Sequence, residues 1–230
     1  MQDTATFDHL GLDPHLLKAV YAMGYEAPTP VQREAIPVIL KGHDVIGTAQ
    51  TGSGKTAAFV LPILQRLMRQ PPGLTRALIL SPTRELAAQT EAALRQLGKG
   101  TRVRGQAVYG GVGMGPQEHA LRGGVDVVIA TPGRLLDHMG RRNVDFRSLQ
   151  VLVLDEADRM LDMGFLPDVR RIIGALPRER QTLLFSATMP PEIEVLSRSI
   201  MRSPVRISVS PPHRPPSKIR HEVYPVPPHL

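Results

Sequence analysis

The 230-residue sequence contains no cysteine and no tryptophan, and aromatic residues make up only 4% of it. Without cysteine, disulfides and thiolate metal sites are excluded. So few aromatic side chains argue against modules that stack nucleic-acid bases on aromatic platforms. No apolar run approaches the roughly 18 residues of a membrane span, and the N-terminus lacks the basic and apolar regions of a signal peptide. We therefore expect a cytoplasmic protein with no membrane partner.

The charge of the chain is strongly basic. The formal net charge is +7, and only five of the 28 basic residues are lysine. A basic surface suits a polyanionic partner, and arginine favours bidentate contacts with phosphate. A genome rich in G and C would also favour arginine codons, so the composition alone leaves both explanations open.

The order of apolar and amphipathic segments predicts an α/β fold with a mostly parallel sheet and helices on both faces. Apolar runs predict strands at residues 44–48, 76–80, 103–108, 126–130, 149–154, 182–186 and 205–209. Helical patterns fall at residues 55–68, 83–97, 116–121, 132–139, 167–176 and 190–201.

The chain divides into three predicted regions. Two helices, at residues 14–23 and 30–40, form an N-terminal region, 1–40, that we expect to pack on the core. The α/β domain covers 41–209. Residues 210–230 are rich in proline and predict a linker, although 221–224 resemble the start of a further strand.

A glycine-rich segment follows the first predicted strand and precedes a helix. It reads Ala49-Gln50-Thr51-Gly52-Ser53-Gly54-Lys55-Thr56. In this strand–loop–helix context the pattern predicts a phosphate-binding loop, although Ala49 stands where the usual pattern has glycine. Glycines let backbone N–H groups turn toward an anion. Lys55 can then reach the β- and γ-phosphates, and the Thr56 hydroxyl can ligate Mg²⁺.

Three carboxylates come directly after the apolar run 151–154. They belong to the tetrapeptide Asp155-Glu156-Ala157-Asp158. Open α/β proteins bind ligands at the carboxyl edge of the sheet, so we expect Asp155 to face Mg²⁺ and Glu156 to face an attacking water. Taken alone, the cluster could also be a solvated helix start, where acidic residues are common.

Several predicted strands run into helices through Ser, Thr and Pro. These segments are Ser81-Pro82-Thr83-Arg84, Thr131-Pro132-Gly133-Arg134 and Ser186-Ala187-Thr188-Met189-Pro190. Such residues commonly cap helices. An arginine in the first turn, however, places a positive charge at the positive end of the helix dipole, which is unfavourable. An anion bound at the helix start would offset this repulsion. Arg84 and Arg134 are therefore candidate phosphate ligands, aided by Thr131.

Two further segments have a local structural explanation, and their functional role is left open at this point. Gly110 and Gly111 end a predicted strand and permit close approach of a ligand to the backbone. Thr29-Pro30-Val31-Gln32 fits a capping box with proline at the first helical position.

With these segments in order, residues 7–209 resemble the N-terminal RecA-like domain of DEAD-box RNA helicases. The segment DEADRMLDMGF is most similar to bacterial RhlE-type members. The matching segments are Phe7 with residues 24–32 for the Q motif, 49–56 for motif I, 82–89 for motif Ia, Gly110-Gly111 for the GG motif, 131–134 for motif Ib, 155–158 for motif II and 186–188 for motif III.

The resemblance implies ATP and Mg²⁺ as cofactors and RNA as a partner held through its backbone, without sequence preference. It implies three sets of site residues. The catalytic set is Lys55, Asp155, Glu156, Asp158, Ser186 and Thr188, with Thr56 and Asp155 on the metal. The ATP-binding set is Phe7, Tyr25, Gln32, Ala49, Gln50, Thr51, Gly52, Ser53, Gly54, Lys55 and Thr56. The RNA-binding set is Pro82, Thr83, Arg84, Gly110, Gly111, Thr131, Pro132, Gly133 and Arg134.

In the family, the remaining motifs belong to a second, C-terminal RecA-like domain, and this sequence stops before it. That domain supplies arginines that stabilise charge on the γ-phosphate, an effect of about 10³–10⁵ in rate. We therefore expect this chain to bind ATP but to hydrolyse it weakly and not to unwind duplexes alone. The same motifs would also serve an ATP-gated RNA clamp. A DNA translocase stays open, whereas a GTPase is disfavoured because no N-K-x-D motif is present.

Overall fold

The computed structural model describes residues 6–209, which form one seven-stranded sheet flanked by helices. The expected strand start at 221–224 lies outside the described residues. All the strand pairs are parallel, in the spatial order β3-β4-β2-β5-β6-β1-β7. The strands are β1 (Val45–Thr48), β2 (Ala77–Leu80), β3 (Gly105–Val108), β4 (Val127–Ala130), β5 (Val151–Leu154), β6 (Gln181–Ser186) and β7 (Val205–Ser208).

The continuous apolar strands are explained by burial on both faces of the sheet. In β2, Ile79 belongs to one core, whereas its neighbours Leu78 and Leu80 belong to the other. Successive side chains of a strand point to opposite faces, so both faces need apolar residues when both are covered. The expected α/β class is confirmed.

Helices α1 to α4 cover one face of the sheet and α5 to α9 cover the other. A short 3₁₀-helix, Phe7–Leu10, precedes them. The α-helices are α1 (Pro14–Ala22), α2 (Pro30–Leu40), α3 (Lys55–Leu67), α4 (Arg84–Leu97), α5 (Met114–Arg122), α6 (Pro132–Gly140), α7 (Ala157–Asp162), α8 (Leu166–Gly174) and α9 (Pro191–Ile200). None of the helices in residues 6–209 is long and apolar enough to cross a membrane.

The predicted elements agree with the structure to within about two residues at most boundaries. Two elements were not predicted: the 3₁₀-helix and α7, of four and six residues. Both are too short to show helical periodicity, which needs a window of roughly 11–18 residues. The predicted strand 103–108 begins only at Gly105, and 149–154 begins only at Val151.

Two buried aspartates hold the amino ends of the strands together. Asp44 accepts hydrogen bonds from the backbone N–H of Thr182 and of Arg202, both at 2.7 Å. Asp126 accepts from the backbone N–H of Gly73 at 2.9 Å and of Arg104 at 2.8 Å. Each carboxylate satisfies donors that the sheet cannot reach, so this edge is fixed by side chains.

Replacing Asp44 by alanine should lower the free energy of unfolding by about 2–4 kcal/mol, because two backbone donors lose their partner. Urea denaturation measures the change. Asp145→Ala is the matched control, since Asp145 pairs with exposed Arg147 and such pairs contribute at most about 1 kcal/mol. Equal losses in the two variants would contradict the structural role of Asp44.

Candidate functional site

The glycine-rich loop connects the end of β1 to the start of α3. Gly52 and Gly54 have φ of 82° and 92°, a left-handed conformation that glycine adopts without strain. A Cβ at Gly54 would lie 2.5 Å from Nε2 of Gln32. No side chain caps the first turn of α3, so its N–H groups remain free to bind an anion. This cradle fits a polyphosphate.

Lys55 lies inside the loop and is only 6% exposed. Its Nζ donates a hydrogen bond to the carbonyl oxygen of Ala49 at 2.6 Å. A buried ammonium group is costly unless it is hydrogen-bonded or paired. The loop therefore holds its cation at the centre of the predicted phosphate site.

Asp155 and Glu156 lie at the end of β5, in the middle of the sheet, and both are buried. Burial, together with the neighbouring charge of Glu156, raises the pKa of Asp155 to about 7, although Lys55 opposes the shift. Glu156 has a φ of 50°, uncommon for a residue other than glycine. Such a backbone conformation is often found at functional sites.

A cavity of about 260 Å³ lies between the loop and the acidic cluster, lined in part by Thr51, Lys55, Glu156, Asp158 and Arg159. Thr51 donates its hydroxyl to Glu156 at 3.4 Å. Arg159 pairs with the other oxygen of Glu156 at 3.2 Å. The cavity therefore joins the predicted phosphate site to the predicted water-activating carboxylate.

The ends of β5 and β6 are joined through Asp158. Thr188 donates to its carboxylate from the hydroxyl at 2.9 Å and from the backbone N–H at 2.8 Å. Ser186 accepts from the backbone N–H of Asp158 at 3.0 Å. Burial raises the pKa of Asp158, but the hydrogen bonds from Ser186 and Thr188 more than offset it, so the pKa lies below its ordinary value.

Gln32 makes two sets of contacts. Its Oε1 accepts from the backbone N–H of Thr29 at 2.9 Å, completing the predicted capping box. Its Nε2 donates to the carbonyl oxygen of Gly54 at 3.1 Å. Phe7 is fully buried and its ring lies 6.2 Å from that of Tyr25. Phe7 therefore packs beside Tyr25 and is itself buried.

The residues predicted to contact RNA lie at the ends of β2, β3 and β4. Arg84 is exposed, and its Nε donates to Glu85 at 2.6 Å. A Cβ on Gly111 would lie 3.4 Å from a terminal nitrogen of Arg84, so motif Ia and the GG segment are neighbours. Thr83 caps α4 by accepting from the backbone N–H of Leu86.

Arg134 differs from Arg84 because its guanidinium group is largely buried and is bound to a backbone carbonyl rather than to an exposed carboxylate. Both terminal nitrogens donate to the carbonyl oxygen of Val112 at 3.1 Å, and the side chain is only 13% exposed. This contact ties the start of α6 to the loop after β3. Thr131, in contrast, makes no capping bond to α6.

Two contacts at this site were missed by the sequence reasoning. Arg159 lies three residues after Glu156 on α7, a helix that was not predicted, and recognition of that helix would have placed the pair. The Val112 carbonyl that holds Arg134 is a backbone group, and every residue carries one. No sequence signal could have identified it.

Comparison with known proteins gives one family. Residues 29–196 match the DEAD/DEAH box helicase family. The chain is 50% identical over 203 residues to an ATP-dependent RNA helicase CshA from Limosilactobacillus reuteri, covering 88% of this chain and 41% of the relative. It is also 50% identical over 206 residues to an ATP-dependent rRNA helicase rrp3 from Aspergillus niger, covering 89% of this chain and 44% of the relative.

A solved structure shares the fold. The crystal structure of a DEAD box protein from the hyperthermophile Methanococcus jannaschii superposes with a TM-score of 0.85 at 37% identity, covering 89% of this chain and 56% of that one. The chain spans about two fifths of the length of the two curated relatives. Neither of them is described as RhlE-type, so that assignment stays a prediction.

The raised pKa of Asp155 predicts a pH-dependent stability in buffer without metal or nucleotide. At pH values between the ordinary aspartate pKa of 3.8 and about 7, the folded protein keeps on Asp155 a proton that the unfolded chain has released. This contribution is therefore complete below about pH 4 and is lost as the pH rises through 7. Asp155→Asn removes the titrating group. As the pH rises from 5 to 8, the melting temperature of the wild type should therefore fall increasingly below that of the variant.

Thermal melts at several pH values measure this difference, at roughly 2–4 °C for each kcal/mol. Asp145→Asn is the control, because the hydrogen bond from Arg147 lowers the pKa of Asp145 further below its ordinary value, away from this range. Parallel pH profiles for wild type and Asp155→Asn would show that Asp155 is ionised throughout.

Proposed function

The chain belongs to the DEAD/DEAH box helicase family, and we propose that it is the ATP-binding and RNA-binding domain of an ATP-dependent RNA helicase. The observation that carries this proposal is the meeting of Lys55, Asp155 and Glu156 at the ends of β1 and β5, the two strands on either side of β6. A loop cation opposite strand-end carboxylates is the arrangement used for phosphoryl transfer.

We assign the nucleotide roles residue by residue. The loop 49–56 and the first turn of α3 hold the phosphates, and Lys55 exchanges the Ala49 carbonyl for phosphate oxygens. Glu156 orients the attacking water and accepts its proton. Tyr25 and Gln32 contact the base, which gives preference for adenine. The bond from Gln32 to Gly54 supports this assignment, because it joins the base contact to the loop.

Thr56 and Asp155 would hold the Mg²⁺ ion, which neutralises charge on the phosphate oxygens when bound. Within residues 6–209, no group of three or more His, Cys, Asp or Glu side chains is arranged to hold a metal. This donor set suits magnesium, which usually takes one or two protein carboxylates and completes its shell with water and phosphate oxygens.

The RNA side lies at the ends of β2, β3 and β4. Arg84 and the N–H groups near Gly110, Gly111 and Thr131 would bind the backbone of one strand, without base readout. The hydrogen bonds of Asp158 with Ser186 and Thr188 would connect nucleotide state to this surface.

Efficient hydrolysis and unwinding, in this proposal, require sequence that the longer relatives have outside the matched region. The arginine that lines the cavity, Arg159, is paired with Glu156, so a move to a γ-phosphate would leave this buried carboxylate without its partner. An arginine from a second domain would supply that charge. A cytoplasmic location also stays a prediction.

Lys55→Gln tests the nucleotide half of the proposal. The variant should bind ATP·Mg²⁺ about 10- to 100-fold more weakly, since a charge-assisted hydrogen bond contributes roughly 1.5–3 kcal/mol. Titration with a fluorescent ATP analogue measures the affinity. Lys41→Gln, on an exposed residue outside the site, removes the same charge and should bind normally. Unchanged affinity in Lys55→Gln would overturn the loop assignment.

Arg84 and Arg134 should affect RNA binding in different ways. Arg84→Gln removes an exposed phosphate contact and should lower the salt dependence of affinity by about 0.7 for a single strand. Arg134→Gln frees the Val112 carbonyl and loosens the loop, so affinity should fall by about tenfold with an unchanged salt dependence.

Binding isotherms of a short oligouridylate at several salt concentrations separate the two effects. A reduced salt dependence in Arg134→Gln would show that this side chain leaves Val112 to bind phosphate.

A further inference from the structure

The edge strand β3 is flanked by α4 and α5, and an open groove of about 640 Å³ runs between them near the start of the strand. Side chains block further strand pairing here. Glu91 accepts from the backbone N–H of Ala107 at 2.8 Å, and Gln106 donates to the Ala107 carbonyl at 2.8 Å. The groove is therefore closed to an added β-strand but open to other ligands.

The charged side chains that line this groove are mainly basic. They include Arg95, Lys99 and Arg104, and the acidic residue among them, Glu91, is bound to Ala107. Within residues 6–209, neither Arg95 nor Lys99 forms an ion pair. Like charges grouped in this way repel one another, and a bound polyanion relieves the repulsion.

A second cavity, of about 780 Å³, continues the basic groove along α1. The two share Lys99 and Gly100, and the second adds His15 and Lys18 without any acidic residue. The basic surface therefore extends beyond the size of a single small anion.

The groove lies in line with the predicted RNA surface. Arg84 and Arg95 are eleven residues apart on α4, which places them on one face of the helix, about 16 Å apart. At one end of this face, Arg84 lies beside Gly111, after β3; at the other, Arg95 lines the groove with Gly105, the first residue of β3. A path therefore follows the edge strand from its end to its start.

We propose that this groove is a second binding site for the RNA backbone, which extends the strand held at Arg84 along the β3 edge. The inference rests on the proposed function, because it needs RNA at Arg84. The distance between Arg84 and Arg95 corresponds to roughly five nucleotide steps at 3.4 Å for a stacked strand. Continuity with the first site favours RNA over an acidic protein segment as the occupant.

The double variant Arg95→Gln/Lys99→Gln tests the site. The probes are U5, whose four steps of about 3.4 Å fall short of the distance from Arg84 to Arg95, and U15, which reaches the groove. The variant should bind U15 about three- to tenfold more weakly, with a salt dependence reduced by about 1.4, and should bind U5 like wild type. Arg170→Gln/Arg171→Gln removes two exposed charges from α8 and should match wild type with both probes.

Lysine acetylation adds a direct readout. U15 should protect Lys99 but not exposed Lys41, and U5 should protect neither. Equal weakening of U5 and U15, or no weakening of either, overturns the proposal. A double variant that melts lower but binds U15 normally assigns Arg95 to the dipole at the end of α4 and also overturns it.

If the double variant keeps its binding of U15 but loses binding of polyglutamate, the occupant of the groove is an acidic protein segment. That result would likewise overturn the proposal. Failure of wild type to bind U5 and ATP would refute the proposed function itself, whereas the length-dependent loss concerns only the groove.

Discussion

The arrangement of the site depends on the parallel register of three neighbouring strands. Leu154 of β5 pairs with Leu184 of β6, and Thr48 of β1 pairs with Ser186. Because β6 continues to Ser186, its last residue lies level with Glu156, just beyond the end of β5. The Ser186 hydroxyl thus reaches the backbone N–H of Asp158. A shift of one residue would turn Ser186 to the other face of the sheet and separate these groups.

The same register concentrates charge where the sheet is most deeply buried. Lys55, Asp155 and Glu156 are each less than 10% exposed. Burying three ionisable groups opposes folding, and burial is the largest cause of the raised pKa of Asp155. The apolar strands and two helical layers offset this cost. These charges are buried at the carboxyl edge of the sheet. In the proposed function, a nucleotide and its metal ion bound there would replace the hydration that the charges have lost.

The fold could be predicted because apolar runs and the phosphate-loop pattern depend on local sequence. The sites were harder, because their side chains have more than one possible partner. The segment 29–32 predicts either a helix cap or a ligand contact, and Gln32 in fact uses its oxygen for the cap and its nitrogen for Gly54. The sequence predicts a phosphate contact for Arg134, and only the folded chain shows that its guanidinium group also donates to the backbone carbonyl of Val112. Tertiary contacts of this kind follow only from the folded chain.

The two halves of the proposed site lie along one sheet edge, where β5 and β6 are paired up to Leu154 and Leu184 and backbone hydrogen bonds join the other neighbouring strands. Ala49 donates to Ser186, Asp155 to Leu80, Ser81 to Ala130 and Thr131 to Val108, all at 2.9–3.0 Å. This ladder links the nucleotide side, on β1, β6 and β5, to the RNA side, on β2, β4 and β3. Coupling between sites requires an element with two arrangements, and a hydrogen-bonded sheet edge has one. In the proposed function, coupling within this domain would therefore rest on side chains above the edge, and Asp158 with its bonds from Thr188 is the contact best placed to change.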